Sequence, residues 1–157
     1  ALYACGAVLK LSSVLGVRKI SISEFITGPG KTTLKPGELL ESISIPLSNE
    51  RTEFFKLGLR QSMAISVVNF ALRYHVENGS FRTLKIAVGS VAPTVVLLTA
   101  YSSAVLDTPT NISAALNKIE EDITPIDDIR ATADYRRRVL KNVLEFTLKR
   151  AIGDSDV

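Results

Sequence analysis

The chain has 157 residues, 46% of them hydrophobic and 22% charged, with a formal net charge of +3. That length gives one domain or two small lobes, and the composition supports a packed core, not wholesale disorder. The charge is too small, and the basic residues too dispersed, to imply nucleic acid. One cysteine, Cys5, and one histidine, His75, cannot form a zinc or iron–sulfur site within the chain. A lone thiol also excludes an internal disulfide and suits a reducing, cytoplasmic setting. Cys5 lies in an apolar run and reads as a buried, inert thiol, while His75 has no visible catalytic partner. The apolar run over 91–100 is too short for a membrane span and is broken by Pro93. The chain opens on apolar residues from Ala1, with no basic leader, which suggests a piece of a longer protein.

In chain order, 8–11 reads as a strand, Ser12 to Gly16 as a turn, and 17–22 as a second strand that alternates from Arg18 onward. The two make a hairpin. Ser23 is placed to cap a helical turn through Glu24, Phe25 and Ile26. Gly30-Lys31-Thr32 resembles the end of a phosphate loop, which would make Lys31 a nucleotide ligand. The required glycine five residues earlier is Phe25, however, and Pro36-Gly37 sets a turn where a helix is needed. A linker is the better reading. Positions 39–45 alternate as a strand ended by Pro46, with Leu40 the one apolar residue on the outer face. The polar segment 47–51 marks a boundary between two lobes.

The second lobe opens with a strand over 52–60 that carries Lys56. Positions 65–74 are apolar almost throughout, as in a strand covered on both faces, with a helix as the competing assignment. Asn78-Gly79 is a hairpin turn, and 82–90 returns as a strand. A three-stranded antiparallel sheet is the result. Positions 94–106 are ambiguous between helix and strand, with length favouring helix. Asn111 would cap a helix through Ile123 that turns Ile112, Leu116 and Ile119 inward. The last helix carries Asp134 in its first turn, and its inward stripe runs through Tyr135, Val139, Leu140, Val143, Leu144, Leu148, Ala151 and Ile152. Arg136-Arg137-Arg138 reads as a solvated face. The fold class is therefore α+β.

The most informative stretch is Lys56-Leu57-Gly58-Leu59-Arg60-Gln61-Ser62-Met63-Ala64-Ile65-Ser66-Val67-Val68-Asn69. Physically it is strand, loop, strand. The loop is bracketed by Lys56 and Arg60 and carries Ser62, Met63 and Ile65. It suits contact with a flat, partly apolar, partly anionic ligand, or it is a surface hairpin with two solvated cations. The stretch resembles the K-x-G-x-R-x-x-M-D-I-A-x-V-N segment of the flavoprotein component of molybdenum hydroxylases, the family of xanthine dehydrogenase, aldehyde oxidase and carbon monoxide dehydrogenase. Other segments resemble that family in order. They are Ala4-x-Gly6-Ala7-x-Leu9-x-Leu11, Glu24-Phe25-x-x-Gly28, Pro36-Gly37-Glu38-Leu39-Leu40, Ile43-x-Ile45-Pro46, Gly89-x-Val91-Ala92-Pro93-Thr94, Ile126-Asp127-Asp128-x-Arg130-Ala131 and Tyr135-Arg136-Arg137.

The resemblance implies a remnant of an FAD-binding domain over 1–47, followed over 48–157 by a β3α3 two-layer sandwich. It implies an oxidoreductase subunit that holds FAD and relays electrons from iron–sulfur centres to an acceptor. A molybdenum-cofactor subunit and an iron–sulfur subunit would be its partners, and a homo-oligomer is compatible. By the same resemblance Leu40 and Lys56 are flavin contacts, Ile65 is a further ring contact, and no side chain acts as a catalytic acid, base or nucleophile. Two departures stand out. Ala64 replaces an acidic residue common in the family, and the glycine-rich loops that cradle the FAD pyrophosphate are absent from this chain. A rival reading is a non-catalytic α+β assembly module that docks subunits and caps the flavin site.

Overall fold

The computed structural model describes residues 1–60, 64–108 and 112–153. Ser62, Met63 and Asn111, singled out above, lie outside these described residues. The fold is α+β. A small N-terminal lobe rests on one face of a larger antiparallel sheet, and helices cover the other face.

The N-terminal lobe is built on a hairpin of β1 (Val8–Ser13) and β2 (Gly16–Ser21). A short α1 (Ile22–Phe25) follows at once. Its cap is Ser21 and not the expected Ser23: the Ser21 hydroxyl accepts from Ser23 N at 3.3 Å, and Glu24 returns to Ser21 N. This reciprocal box satisfies donors at the start of the turn. The 27–33 segment forms a minimal hairpin, β3 (Ile26–Gly28) with β4 (Lys31–Thr32). Lys31 therefore starts a strand and not a helix, which removes the phosphate-loop geometry. β5 (Leu39–Ser44) pairs antiparallel with β1 and completes a three-stranded sheet of order β2-β1-β5.

The larger sheet is β6 (Arg51–Gly58), β7 (Ser66–Glu77), β8 (Ser80–Gly89) and β9 (Val96–Leu97), in that order. The central β7 is a strand, as its apolar run suggested over the helical alternative. Asn78 and Gly79 both take positive φ, the conformation that a two-residue hairpin loop demands. The two-residue β9 was not foreseen. It shortens the expected helix, so that α2 (Thr99–Asp107) begins only after it. The second predicted helix is a 3-10 helix, Ala114–Glu121, and the last, α3 (Ala133–Gly153), spans 21 residues.

Side-chain alternation divides the sheet into two faces. Phe55, Leu57, Val68, Phe70, Leu72, Ile86 and Val88 point to the helices and join Leu140, Leu144 and Leu148 of α3 in the main core. Phe55 and Phe70 sit opposite in register and stack at 5.1 Å. The other face carries three rows across the strands: Thr52–Arg73–Lys85, Phe54–Ala71–Ala87 and Lys56–Asn69–Gly89. The two alanines allow the N-terminal lobe to approach closely, and they join Leu9, Leu11, Ile22 and Phe25 in a second core. Arg73 secures the seam by donating to Cys5 O at 2.6 Å and pairing with Glu50, whose other oxygen accepts from Thr83 at 2.6 Å. Cys5 is half-buried, so its expected full burial is not met.

Two further expectations need correction. The alternation of β5 suggested a buried face, yet every residue from Leu39 to Ser44 is exposed. Arg136, expected on a solvated face, is 1% exposed. Among the described residues no helix is long and apolar enough to cross a membrane.

Candidate functional site

The third row of the lobe-facing side lies at the end of the sheet where β6 turns into β7. Lys56 stands directly across from Asn69, and Asn69 across from Gly89. Lys56 is exposed, and among the described residues no acidic side chain pairs with it. Its neighbours Phe55 and Leu57 are held by the core, so the strand fixes where the ammonium emerges. Gly89 makes the row possible. A Cβ there would lie 2.7 Å from Asn69 Oδ1, so only glycine leaves the Asn69 amide its place across the strand.

The hairpin end is pinched in a similar way. A Cβ on Gly58 would lie 2.7 Å from the Ala64 methyl. The two strand ends therefore close tightly around the loop. Ile65 emerges just before β7, 71% exposed. It lines a broad depression of about 660 Å³ with Leu59, Arg60, Asp128, Ile129 and Arg130. Lys56 belongs to the adjoining strand and lies outside that lining. Leu40 is on the separate β5 strand, paired opposite Leu11 and 43% exposed. The structure thus brings Lys56 and Ile65 into one hairpin and leaves Leu40 on the other sheet.

What holds the hairpin end is a clamp built on Arg136. Its Nη1 donates to Val67 O at 2.6 Å and Ser90 O at 3.0 Å, and its Nη2 donates to Asp128 Oδ1 at 2.6 Å. One guanidinium therefore ties the start of β7, the end of β8 and the segment before α3. Ser90 has φ of 68°, a left-handed conformation that a non-glycine residue adopts at some cost, and the clamp holds it there. Asp128 also pairs with Arg130 and accepts from the backbone N of Arg130 at 2.8 Å and of Ala131 at 3.2 Å. The Arg130 side chain and these backbone donors hold its carboxyl well below the usual carboxylate range. The two resembling segments over 126–131 and 135–137 are thus halves of one ion-paired device.

Asn69, Gly89 and the clamp received no role from the sequence. The spacing signal for Arg136 was nonetheless present. Arg136, Leu140, Leu144 and Leu148 follow at i, i+4 intervals on the buried stripe of α3. Tyr135, assigned to that stripe, is 39% exposed.

Residues 53–151 match the family model of the CO dehydrogenase flavoprotein C-terminal domain. The chain belongs to this family. Residues 1–48 match a second model, the FAD binding domain in molybdopterin dehydrogenase. The chain is 28% identical over 153 residues to a putative xanthine dehydrogenase FAD-binding subunit of Escherichia coli K12, covering 94% of this chain and 52% of that protein. It is 26% identical over 143 residues to the glyceraldehyde dehydrogenase medium chain of Sulfolobus acidocaldarius, covering 89% and 51%. The chain therefore spans about half the length of these curated relatives. Its fold matches quinoline 2-oxidoreductase from Pseudomonas putida 86 with a TM-score of 0.85 at 22% identity, over 98% of this chain and 54% of that one. It matches carbon monoxide dehydrogenase from Oligotropha carboxidovorans equally well, with a TM-score of 0.85 at 22% identity over 97% and 55%. In the CO dehydrogenase flavoprotein C-terminal family, then, this chain presents its exposed cation and its pinched hairpin on the sheet face that also carries the N-terminal lobe.

Proposed function

We propose that the chain supplies one wall of the FAD site in the FAD-bearing subunit of a molybdenum hydroxylase-type oxidoreductase. In this reading the N-terminal remnant ends at about residue 47. The observation that carries the proposal is the exposed Lys56, set across from Asn69 and without an acidic partner among the described residues, at the seam between segments matching an FAD-binding domain and a flavoprotein C-terminal domain. The residues fit a flavin ring. Leu40 and Ile65 offer exposed apolar side chains, Lys56 an exposed cation, and Gly89 the room for the Asn69 amide.

Bound FAD would supply the two-electron chemistry that links iron–sulfur centres to an acceptor. The residues of this chain would bind and bias it. The Lys56 ammonium would stabilise negative charge on the reduced ring, which favours reduction. Leu40 and Ile65 would shield ring surface from water, and the clamped hairpin would govern how closely an acceptor approaches. Ala64 leaves that approach without the carboxylate that the resemblance led one to expect. The molybdenum-cofactor and iron–sulfur subunits are the partners this reading requires, and a cytoplasmic location goes with it.

One observation favours a second reading, the assembly module. Phe146 on α3 is 66% exposed, a large apolar side chain turned away from the sheet. The two readings separate in the complete subunit. Lys56→Met should lower FAD content and make the flavin harder to reduce, by about 30 mV or more if the cation contributes ~1.4 kcal/mol to the reduced state. Recovery of partner subunits should not change. The assembly reading instead has Phe146→Ala losing the partners while Lys56→Met leaves both potential and FAD content untouched.

A further inference from the structure

A second site lies beside the middle of β8, at Leu84, Lys85 and Ile86. The short β9 pairs with Ala87 and Val88, and Leu98 N donates to Ile86 O at 2.9 Å, so among the described residues the edge of β8 is uncovered by a strand only before Ile86. The N-terminal lobe and the first turn of α2 close over this edge and leave a cleft of about 360 Å³. That is the lower end of the range for small-molecule sites, about 300 to 1,000 Å³. Its body is apolar, with Leu84, Ile86 and Leu98 among the lining.

Two polar groups in the lining lack partners. The Tyr3 hydroxyl and Ser102 Oγ are buried, and neither makes a hydrogen bond. The two residues are only 9% and 7% exposed. A buried hydroxyl without a partner is costly, so two in one cleft point to an occupant that engages both. They come from different lobes, Tyr3 from the N-terminal lobe and Ser102 from α2. Burial also raises the Tyr3 pKa, so it remains a donor at neutral pH.

The charge of the lining narrows the occupant. Among the described residues Lys85 is the one ionisable lining residue besides Tyr3, and none of the lining carries a carboxylate. Lys85 is exposed at the edge of β8. The helix that carries Ser102, α2, begins at Thr99, and its N-cap Leu98 offers no side-chain hydrogen bond. Its Ala100 N reaches Asp122 Oδ2 only at 3.4 Å. Two hydroxyl donors, one lysine and the first turn of a nine-residue helix line one largely apolar space.

We infer that this cleft binds a small carboxylic acid. Its apolar body lies on Leu97 and Leu106, the apolar lining residues that keep accessible surface, and its carboxylate accepts from the Tyr3 and Ser102 hydroxyls and pairs with Lys85. The inference does not rest on the flavin reading, because Lys56, Leu40 and Ile65 take no part.

The test uses the complete subunit, with 4-phenylbutyrate and its neutral amide as probes in calorimetric titration. The acid should bind saturably with Kd of about 1 mM or tighter, and the amide about ten-fold more weakly. Tyr3→Phe and Ser102→Ala should each weaken the acid about five- to ten-fold. Ser102→Leu, which fills the cleft, should abolish binding. Lys85→Gln, at an exposed position, should remove the preference for acid over amide and leave the circular dichroism spectrum unchanged. Absence of saturable heat from either probe up to about 10 mM would overturn the site. Equal binding of acid and amide to the unmodified protein would overturn the carboxylate assignment. Unchanged binding in both Lys85→Gln and Ser102→Leu would place the probe elsewhere and sink the proposal.

Discussion

The strands β5 and β7 carry similar apolar content and meet opposite fates. β7 is covered on both sides, by helices on one face and the N-terminal lobe on the other. β5 is exposed along its whole length, with Leu39, Leu40 and Ile43 open to solvent. An apolar strand records that something should cover it, without recording what. In β7 the cover is this chain's own core. In β5 the described residues supply none, and the proposed flavin contact Leu40 sits in that uncovered strand. The same contrast runs across the large sheet. The helix face is filled with Phe, Leu and Val, while the lobe face carries two alanines and a charged row. Bulk builds the core, and smallness plus charge build the seam and the site.

The comparison breaks most sharply at Arg136. Among the described residues its guanidinium is the one side chain that ties both the start of β7 and the end of β8 to the segment before α3. Arg136→Ala leaves Asp128 with Arg130 as its one charged partner among the described residues and takes the donor from the Val67 and Ser90 carbonyls. The expected loss is about 3 kcal/mol, because two buried carbonyls are left without their donor and Asp128 loses one of its two guanidinium partners. Urea unfolding of the variant checks this. A loss under about 1 kcal/mol would mean that Arg130 alone satisfies Asp128 and that the clamp is redundant.

Next come matched truncations on the two strands. Leu72→Ala, at a fully buried position of β7, should cost about 3 kcal/mol from lost burial and the cavity left behind. Leu40→Ala, on exposed β5, should change the stability of this chain by no more than about 0.5 kcal/mol. Equal costs would show that β5 is covered by this chain itself, and its claim to a ligand would lapse.

Much of the architecture was legible, and the reasons are local. Asn78-Gly79 demands one turn geometry, and the structure has it. The apolar run of β7, nearly continuous over 65–74, pointed to a strand buried on both faces over the competing helix. The misread parts depend on tertiary context. Arg136 was grouped with its neighbours along the chain, although successive helical residues point about 100° apart and only Arg136 of the three shares the buried stripe. Leu116 and Ile119 were assigned to an α-helix, but the segment is 3-10, a tighter winding with the same rough spacing. β9 has two residues and no sequence signature of its own. Lys56 and Ile65 were legible as a loop pair, and the structure does put them in one hairpin. The Asn69–Gly89 contact was not legible, because a cross-strand pair depends on register between distant segments.

The seam between the lobes gives a smaller effect. Ala87 is buried under the N-terminal lobe, and Ala87→Leu would force that lobe away from the sheet. Overpacking at such a site costs about 2 kcal/mol. Ala71→Leu should behave alike, since the two alanines sit opposite in register. Calorimetry should show a lowered Tm for both variants. An unchanged Tm would mean that the lobe rests on the sheet loosely and that the second core contributes little.

The smallest effect lies far from the seam, at Glu38. Arg18 donates to both Glu38 oxygens, at 2.7 and 2.9 Å, and Lys35 N donates to one of them at 2.8 Å. The Arg18 hydrogen bonds, with the Lys35 backbone bond behind them, pull the Glu38 pKa from 4.5 down to about 2. A carboxyl depressed on folding stabilises the native state above its unfolded pKa and loses that contribution as pH falls through the folded one. The window is therefore pH 4.5 down to about 2. Glu41, Glu50, Glu120 and Asp128 are lowered as well, so the total acid response of the chain cannot be assigned to one residue. The informative quantity is the difference between the unmodified chain and Glu38→Gln. It should be constant near neutral pH and shrink across that window, because only the ionised carboxylate pairs with Arg18. Urea midpoints for both proteins, taken at several pH values, measure it. A difference independent of pH would mean that Glu38 holds Arg18 by hydrogen-bond geometry alone, which a glutamine preserves. The exposed lobe would then owe its local order to the turn at Pro36-Gly37, with no charge contribution from the Arg18 pair.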